Sequence, residues 1–327
     1  MQLDQSVSVE AAVTGPPIPE NPGKRKKKSL GNERKKDLIF VLLMLVWPVL
    51  QFLIFYIVVN LNSFALAFER IDVVSGKTTF TFDNFRNVFR MLADGSMWHL
   101  ISMSLLTWFI TLMVGTTLGL LFSYFIYKKL PMSGFFRVVL FMPSIISAIV
   151  MVVMYSFFVE QALPDIMNDL FHVKMTGLLS NPKTRFGAIM FYNIWVGFGT
   201  SVLMYSNKMS TIDPEIMEAA KLDGATGIKE FWYITLPMVY PTLSVFLVTG
   251  IAGIFTNQMN LYSFYGKTAP EELHTFGYYI YTATQKATSD AEYPIISAMS
   301  LLVSCVAIPV TLLVRRLLEK YGPSEDR

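Results

Sequence analysis

Six stretches of this chain stay apolar for at least the ~20 residues that a helix needs to cross ~30 Å of hydrocarbon. They are Leu38 to Val59, Trp98 to Tyr127, Phe135 to Val159, Phe186 to Ser206, Met238 to Tyr262 and Pro294 to Val314. Hydrocarbon offers no water to backbone N–H and C=O groups, so a crossing segment must satisfy them internally, and isolated runs of this length do so as helices. The prediction is an all-α membrane protein with six transmembrane helices. Bulk composition agrees, since 53% of the 327 residues are hydrophobic and only 16% charged, too apolar for a soluble domain of this size.

Charge placement orients the spans. Lys24 to Lys28, Arg34-Lys35-Lys36, Lys128-Lys129, the Lys208 to Lys229 segment and Arg315-Arg316 all fall on one side of a six-span topology. That side is cytoplasmic by the positive-inside rule, and both termini lie on it. The segments Asn60 to Met97, Glu160 to Arg185 and Ser263 to Tyr293 are then external and hold Asp72, Asp94, Asp165, Glu271, Glu272 and Glu292. Residues 1–37 read as a disordered basic tail whose cations suit anionic lipid headgroups better than nucleic acid, and 315–327 as a C-terminal cytoplasmic tail. The basic region is no secretory signal, because the apolar run behind it is long enough to span. In the first external segment Phe82-Asp83-Asn84-Phe85 predicts a short helix capped by Asp83, with Phe85, Val88 and Phe89 facing lipid.

Much chemistry is missing. There is no Gly-x4-Gly-Lys-Ser/Thr phosphate loop, so the chain itself should bind no ATP. His99, His172 and His274 have no metal-ligand spacing, and Cys305 alone can make neither a disulfide within the chain nor a zinc cluster. No cofactor and no enzyme activity are expected. The central parts of the spans carry no Asp, Glu, Lys, Arg or His, which removes the usual signature of proton- or voltage-driven transport. Sodium coupling through backbone carbonyls stays open.

Uncharged polar and aromatic residues are what the spans do carry: Phe191 to Thr200 in the fourth, and Phe255 to Tyr262 at the end of the fifth. Amides and hydroxyls pair with sugar OH groups and rings cover sugar CH faces, so this composition suits a path for a neutral polyol. Helix packing uses Gly, Thr and Asn as well. Pro143 and Pro309 predict kinks in the third and sixth spans.

One dense polar segment, Asp213 to Pro241, interrupts the apolar half. Asp213 is a natural N-cap before Pro214, with Glu215 and Glu218 near the positive end of the dipole. Ile216, Ala219, Ala220 and Asp223 share a helical face, Gly224 turns the chain, and a second short helix from Ile228 to Leu236 should end at Pro237, with Pro241 in the first turn of the next span. Glu218-Ala219-Ala220, three residues, Gly224, nine residues, then Ile234-x-Leu236-Pro237 resembles the EAA loop of binding-protein-dependent ABC importer permeases, and Asp223-Gly224-Ala225 resembles its sugar branch.

This resemblance implies a type I ABC importer permease fold over 98–314, with loop 210–237 holding a cytoplasmic coupling helix. Glu218, Ala219, Ala220, Asp223, Gly224, Ile234, Leu236 and Pro237 would be its ATPase-coupling residues. It also implies partners: a second homologous permease, an ATP-binding subunit dimer, an extracytoplasmic solute-binding protein, a sugar substrate and the lipid of the cytoplasmic (inner) membrane. Counting outward from the loop, Asn193, Trp195 and Gly197 match an Asn-x-Trp-x-Gly of the maltodextrin-importer permease, and Asn257 matches an asparagine of its substrate site. Thr200 stands where that relative uses tyrosine, while Gly253 and Ile254 replace an aromatic and an amide. Asn193, Trp195, Gly197, Thr200 and Asn257 are thus the substrate-pathway candidates. The competing readings are an ion-coupled secondary transporter of a neutral solute, a non-sugar ABC importer permease, and a membrane sensor or scaffold.

Overall fold

The computed structural model describes residues 27–72 and 76–323. It divides into two compact units, Met1–Leu61 and Asn62–Arg327. In chain order the helices are α1 (Lys35–Ala67), α2 (Asp83–Ala93), α3 (Trp98–Tyr127), α4 (Ser133–Ile145), α5 (Ala148–Phe171), α6 (Arg185–Met209), α7 (Pro214–Leu222), α8 (Ile228–Ala252), α9 (Leu261–Tyr265), α10 (Phe276–Lys286) and α11 (Tyr293–Tyr321). Among the described residues six helices are long and apolar enough to cross a membrane, namely α1, α3, α5, α6, α8 and α11. A short antiparallel hairpin, β1 (Glu69–Ile71) and β2 (Thr78–Phe80), pairs Glu69 with Phe80 and Ile71 with Thr78.

Within the second unit α6 is the centre, packed against α3, α4 and α8, and α11 closes on α8 and α2. Two close approaches set the spacing. On α3, Gly119 and Ser123 lie four residues apart on one face, and Ser123 Oγ sits 3.0 Å from the Val202 carbonyl oxygen of α6. On the other side, Gly199 of α6 faces α4 so closely that a Cβ would overlap the Leu140 carbonyl. Small residues at such crossings bring helix backbones together where lipid offers no hydrophobic drive for association. Large apolar side chains such as Phe109, Met113, Leu121 and Phe157 point outward and are exposed, as lipid-facing positions should be.

Several sequence boundaries change. The third apolar run is two helices, α4 and α5, separated by the extended residues Ile146 and Ser147. Pro143 removes one backbone donor and Ser144 Oγ takes the Phe141 carbonyl at 2.7 Å, so the ladder is already weakened before the break. α5 then runs past Val159 to Phe171 through a π turn at Phe158–Ala162. The fifth span begins earlier, at Ile228, and ends at Ala252, which leaves Gly253 to Asn260 irregular. Pro237 does not end the helix: a π turn at Phe231–Thr235 immediately precedes it, and such a widened turn accommodates the missing N–H.

Both tails shorten as well. The helix of α1 extends back to Lys27 and α11 continues to Tyr321; residues 1–26 and 324–327 lie outside the described set. In α2 the cap is not Asp83, whose backbone N–H donates to Thr81 Oγ1 at 3.1 Å and whose carboxylate lies near Arg70 and Arg86. Val88 is buried and Phe85 half-buried against Ala67, Met97 and Phe276, so they face protein; Phe89 alone of the three is exposed.

Replacing Gly199 with Val should force α4 away from α6. The expected cost is about 1–3 kcal/mol, the usual range for overpacking a close contact. Detergent-solubilised protein should unfold at a lower temperature than wild type.

Candidate functional site

A cavity of about 430 Å³ lies between α3, α6, α8 and the irregular segment after α8. From α6 it takes Asn193, Gly197, Ser201 and Tyr205, a row at i, i+4, i+8 and i+12. From α3 it takes Ser104, Thr107, Trp108 and Thr111, at i, i+3, i+4 and i+7, and the α8 side supplies Phe246, Thr249, Gly250, Thr256 and Asn257. None of the lining residues is Asp, Glu, Lys, Arg or His.

Most hydroxyls donate to their own helix: Thr107 to the Met103 carbonyl at 2.8 Å, Thr249 to Val245 at 2.8 Å, Ser201 to Phe198 at 2.8 Å. Their oxygens then remain as acceptors toward the cavity. Two polar atoms on the α3 wall are left over. Trp108 Nε1 and Thr111 Oγ1 are buried without a hydrogen-bond partner within the protein. Buried donors are paired in the great majority of cases, and these two belong to residues that line the cavity.

The sequence candidates separate into three groups. Gly197 and Asn257 line the cavity, Asn257 Oδ1 accepting from Met259 N–H at 2.8 Å. Asn193 also borders it, but both amide hydrogens are taken, by the Ile189 carbonyl at 2.9 Å and the Met259 carbonyl at 3.0 Å, and its Oδ1 accepts from Asn260 at 2.7 Å. Its observed work is to tie α6 to the segment after α8 and to hold Met259 and Asn260 at φ 52° and 54°, a backbone region disfavoured for non-glycine residues. As a donor to a sugar it is already spent. Trp195 and Thr200 are not in the cavity. Two residues on from Asn193, Trp195 turns to the other side of α6 and meets Tyr155 of α5 at 6.4 Å between ring centroids, while Thr200 is exposed past the edge of the row.

The α3 wall went unread from sequence, although its signal was present: Ser104, Thr107, Trp108, Thr111 and Gly115 repeat along one face of an otherwise apolar span.

At the opposite end of the bundle, Asp213 caps α7 by accepting the Glu215 N–H at 2.9 Å. The buried face of α7 is Met217 and Ala220, packed with Tyr205, Met209 and Phe231, whereas Ile216, Ala219 and Asp223 are exposed. Of the residues at that helical spacing only Ala220 is buried, and Met217 is the large side chain that α7 contributes to the apolar cluster. Glu218, Ala219 and Leu222 project outward. Gly224 at φ +77° and Gly227 at φ +59° make the corner, and Ile234 and Leu236 are half-buried on α8 below it.

This part of the chain matches a family model. Residues 112–323 fit the binding-protein-dependent transport system inner membrane component. The chain belongs to that family. Accordingly it is a multi-pass membrane protein with the ABC importer permease fold. Among curated relatives, a probable ABC transporter permease of Mycoplasma pneumoniae is 35% identical over 128 residues, 38% of this chain and 38% of the relative, so that match takes in well under half of either protein. The multiple sugar-binding transport system permease protein MsmF of Streptococcus mutans is 22% identical over 84% of this chain and 92% of its own length. Among solved structures, a bacterial ABC transporter involved in the import of the acidic polysaccharide alginate superposes with a TM-score of 0.71 at 21% identity, covering 90% of this chain and 99% of that one.

Two substitutions separate the permease's scaffold from its cavity. Asn193→Leu should orphan the Met259 carbonyl and the Asn260 amide and cost about 1–3 kcal/mol per buried group, read as a lower unfolding temperature. A Cβ at Gly197 would meet no heavy atom within 4 Å, so Gly197→Ala should leave that temperature near wild type while narrowing the cavity, read as reduced solute passage.

Proposed function

We propose that this permease carries a neutral sugar or oligosaccharide inward as one subunit of an ATP-driven importer. The observation that carries the substrate class is the α3 wall, where Trp108 Nε1 and Thr111 Oγ1 lie buried without partners in a cavity that has no charged lining. A saccharide hydroxyl both accepts from an indole N–H and donates to a hydroxyl oxygen, and the Trp108 and Phe246 rings offer apolar faces for its CH groups. Asn257 adds an amide whose Nδ2 is left to donate. An acidic chain such as alginate would call for cations, which this wall lacks, so the neutral class is preferred. Relatives named for multiple sugars, galactooligosaccharides and maltodextrin support the same class.

The rest of the assembly follows from the α7 end. Its outward residues Glu218, Ala219 and Leu222 suit docking into a groove on an ATP-binding subunit dimer, which would hold the ATP. That end, with both termini, is cytoplasmic by its Lys and Arg content. A second homologous permease completes the enclosure that six spans alone cannot form around a sugar, and an extracytoplasmic binding protein delivers it. The solved alginate importer in complex with a pentasaccharide-bound periplasmic protein supports such a delivery step. An ion-coupled mechanism finds no charged side chain along the cavity lining to support it.

Isolation of the chain from its native membrane in mild detergent should bring down a phosphate-loop ATPase, identified by mass spectrometry. Glu218→Lys should abolish that recovery with folding intact, since the residue is exposed. Gly224→Val, strained at φ +77°, should keep the partner but lower uptake of radiolabelled neutral oligosaccharide per ATP hydrolysed. Recovery of the wild-type chain alone would overturn the reading.

A further inference from the structure

One buried ion pair belongs to neither the cavity nor the outward face of α7. Lys128, the residue directly after α3, places Nζ 2.5 and 2.6 Å from the two carboxylate oxygens of Glu230, near the start of α8. The Glu230 side chain is 2% exposed and that of Lys128 is 27% exposed. Around the pair, Tyr124 OH donates to the Gly227 carbonyl at 3.0 Å, the Tyr124 ring meets Phe231 edge-on at 5.1 Å, and the Tyr124 and Tyr127 rings lie within 6 Å of the ammonium. The stretch Gly227 to Phe231 is therefore clamped to the end of α3 by a charge pair, a hydrogen bond and a ring contact at one spot.

We propose that Lys128 and Glu230 are positioning residues for transport, the joint through which movement of α7 reaches the α3 wall of the cavity. This rests on the reading of α7 as the ATPase-docking helix. Three features carry it. Gly224 and Gly227, both at positive φ, set a short corner between α7 and the clamped stretch, so a shift of α7 is carried within a few residues to the stretch held on α3. From Lys128 back to Thr116, α3 is about 18 Å of regular helix at 1.5 Å per residue, and it delivers displacement to the segment where the cavity wall begins. At that point α3 contains a π turn, Thr111–Gly115, where its ladder is already loosened and the wall can shift. A buried ion pair is a poor means of adding stability, since apolar residues of like volume often do as well or better. What it adds is direction: one cation, one anion and a single register.

The test uses the complete transporter reconstituted in vesicles with its binding protein and a radiolabelled neutral oligosaccharide. Lys128→Met with Glu230→Leu removes both charges and leaves no uncompensated one, so the complex should fold with an unchanged or higher unfolding temperature. ATP hydrolysis should persist while oligosaccharide taken up per ATP falls about tenfold, within the usual 5–150-fold span of a coupling free energy. The conservative Lys128→Arg, which keeps the pair, should hold the wild-type ratio and decides the matter by rescue should the double variant fold poorly: its ratio is compared with that of Glu230→Gln, which keeps the shape and loses the charge. A wild-type ratio in the double variant, or in Glu230→Gln, would reduce the pair to a structural contact and overturn the proposal. Absence of ATP-driven uptake by the wild-type complex would instead overturn the α7 reading, and this inference with it.

Discussion

The arrangement depends on how closely α3 and α4 can approach α6. In lipid, apolar side chains gain nothing by meeting one another, so contact has to come from backbone proximity and shared polar groups. Gly119 and Ser123 on one side and Gly199 on the other supply it, with the Ser123 hydroxyl reaching across to the Val202 carbonyl. Once these two crossings are set, the upper half of α3 stands beside α6 with room between them, and α8 closes the third side. The cavity is the space left where small residues give way to Thr107, Trp108 and Tyr205.

Polarity inside that space is apportioned with little waste. Hydroxyl hydrogens of Thr107 and Thr249 go to the helix backbone four residues earlier, at little cost to the helix, and leave oxygen lone pairs as acceptors. Asn193 spends its whole amide on the segment after α8, and that segment can then leave helical geometry without orphaned carbonyls at a depth where water is scarce. The irregular backbone borders a cavity, where departures from helical geometry are tolerated. The groups left without partners, on Trp108 and Thr111, are for that reason informative.

Much of this was legible in the chain itself. Six apolar runs with no charge in their central parts, and the Asp213-Pro214 start with Gly224 at the corner, all follow from local rules, since bilayer thickness and capping chemistry act on consecutive residues. Boundaries were less legible. Phe135 to Val159 reads as one span because apolarity does not record the break at Ile146 and Ser147, and Pro237 reads as a stop because a π turn upstream leaves no compositional mark. Asn193 was found by its position relative to the loop, but its role was not, because the residue that takes its amide hydrogen, Met259, is far along the chain and in an unusual conformation.

The sequence by itself determined that the chain crosses a membrane as helices, that its spans carry hydroxyls, amides and rings instead of charges, and that one polar helix interrupts them. These are consequences of hydrocarbon thickness and backbone hydrogen bonding, which any local window reports. Tertiary structure alone decided which polar residues meet: that Gly197 and Asn257 share a cavity with an α3 wall, that Trp195 turns away from it, and that Lys128 finds Glu230 across the bundle. The physical reason is that helix rotation and crossing are set by close contacts between distant residues, and a side chain's partner in the bundle has no signature in its neighbours along the chain.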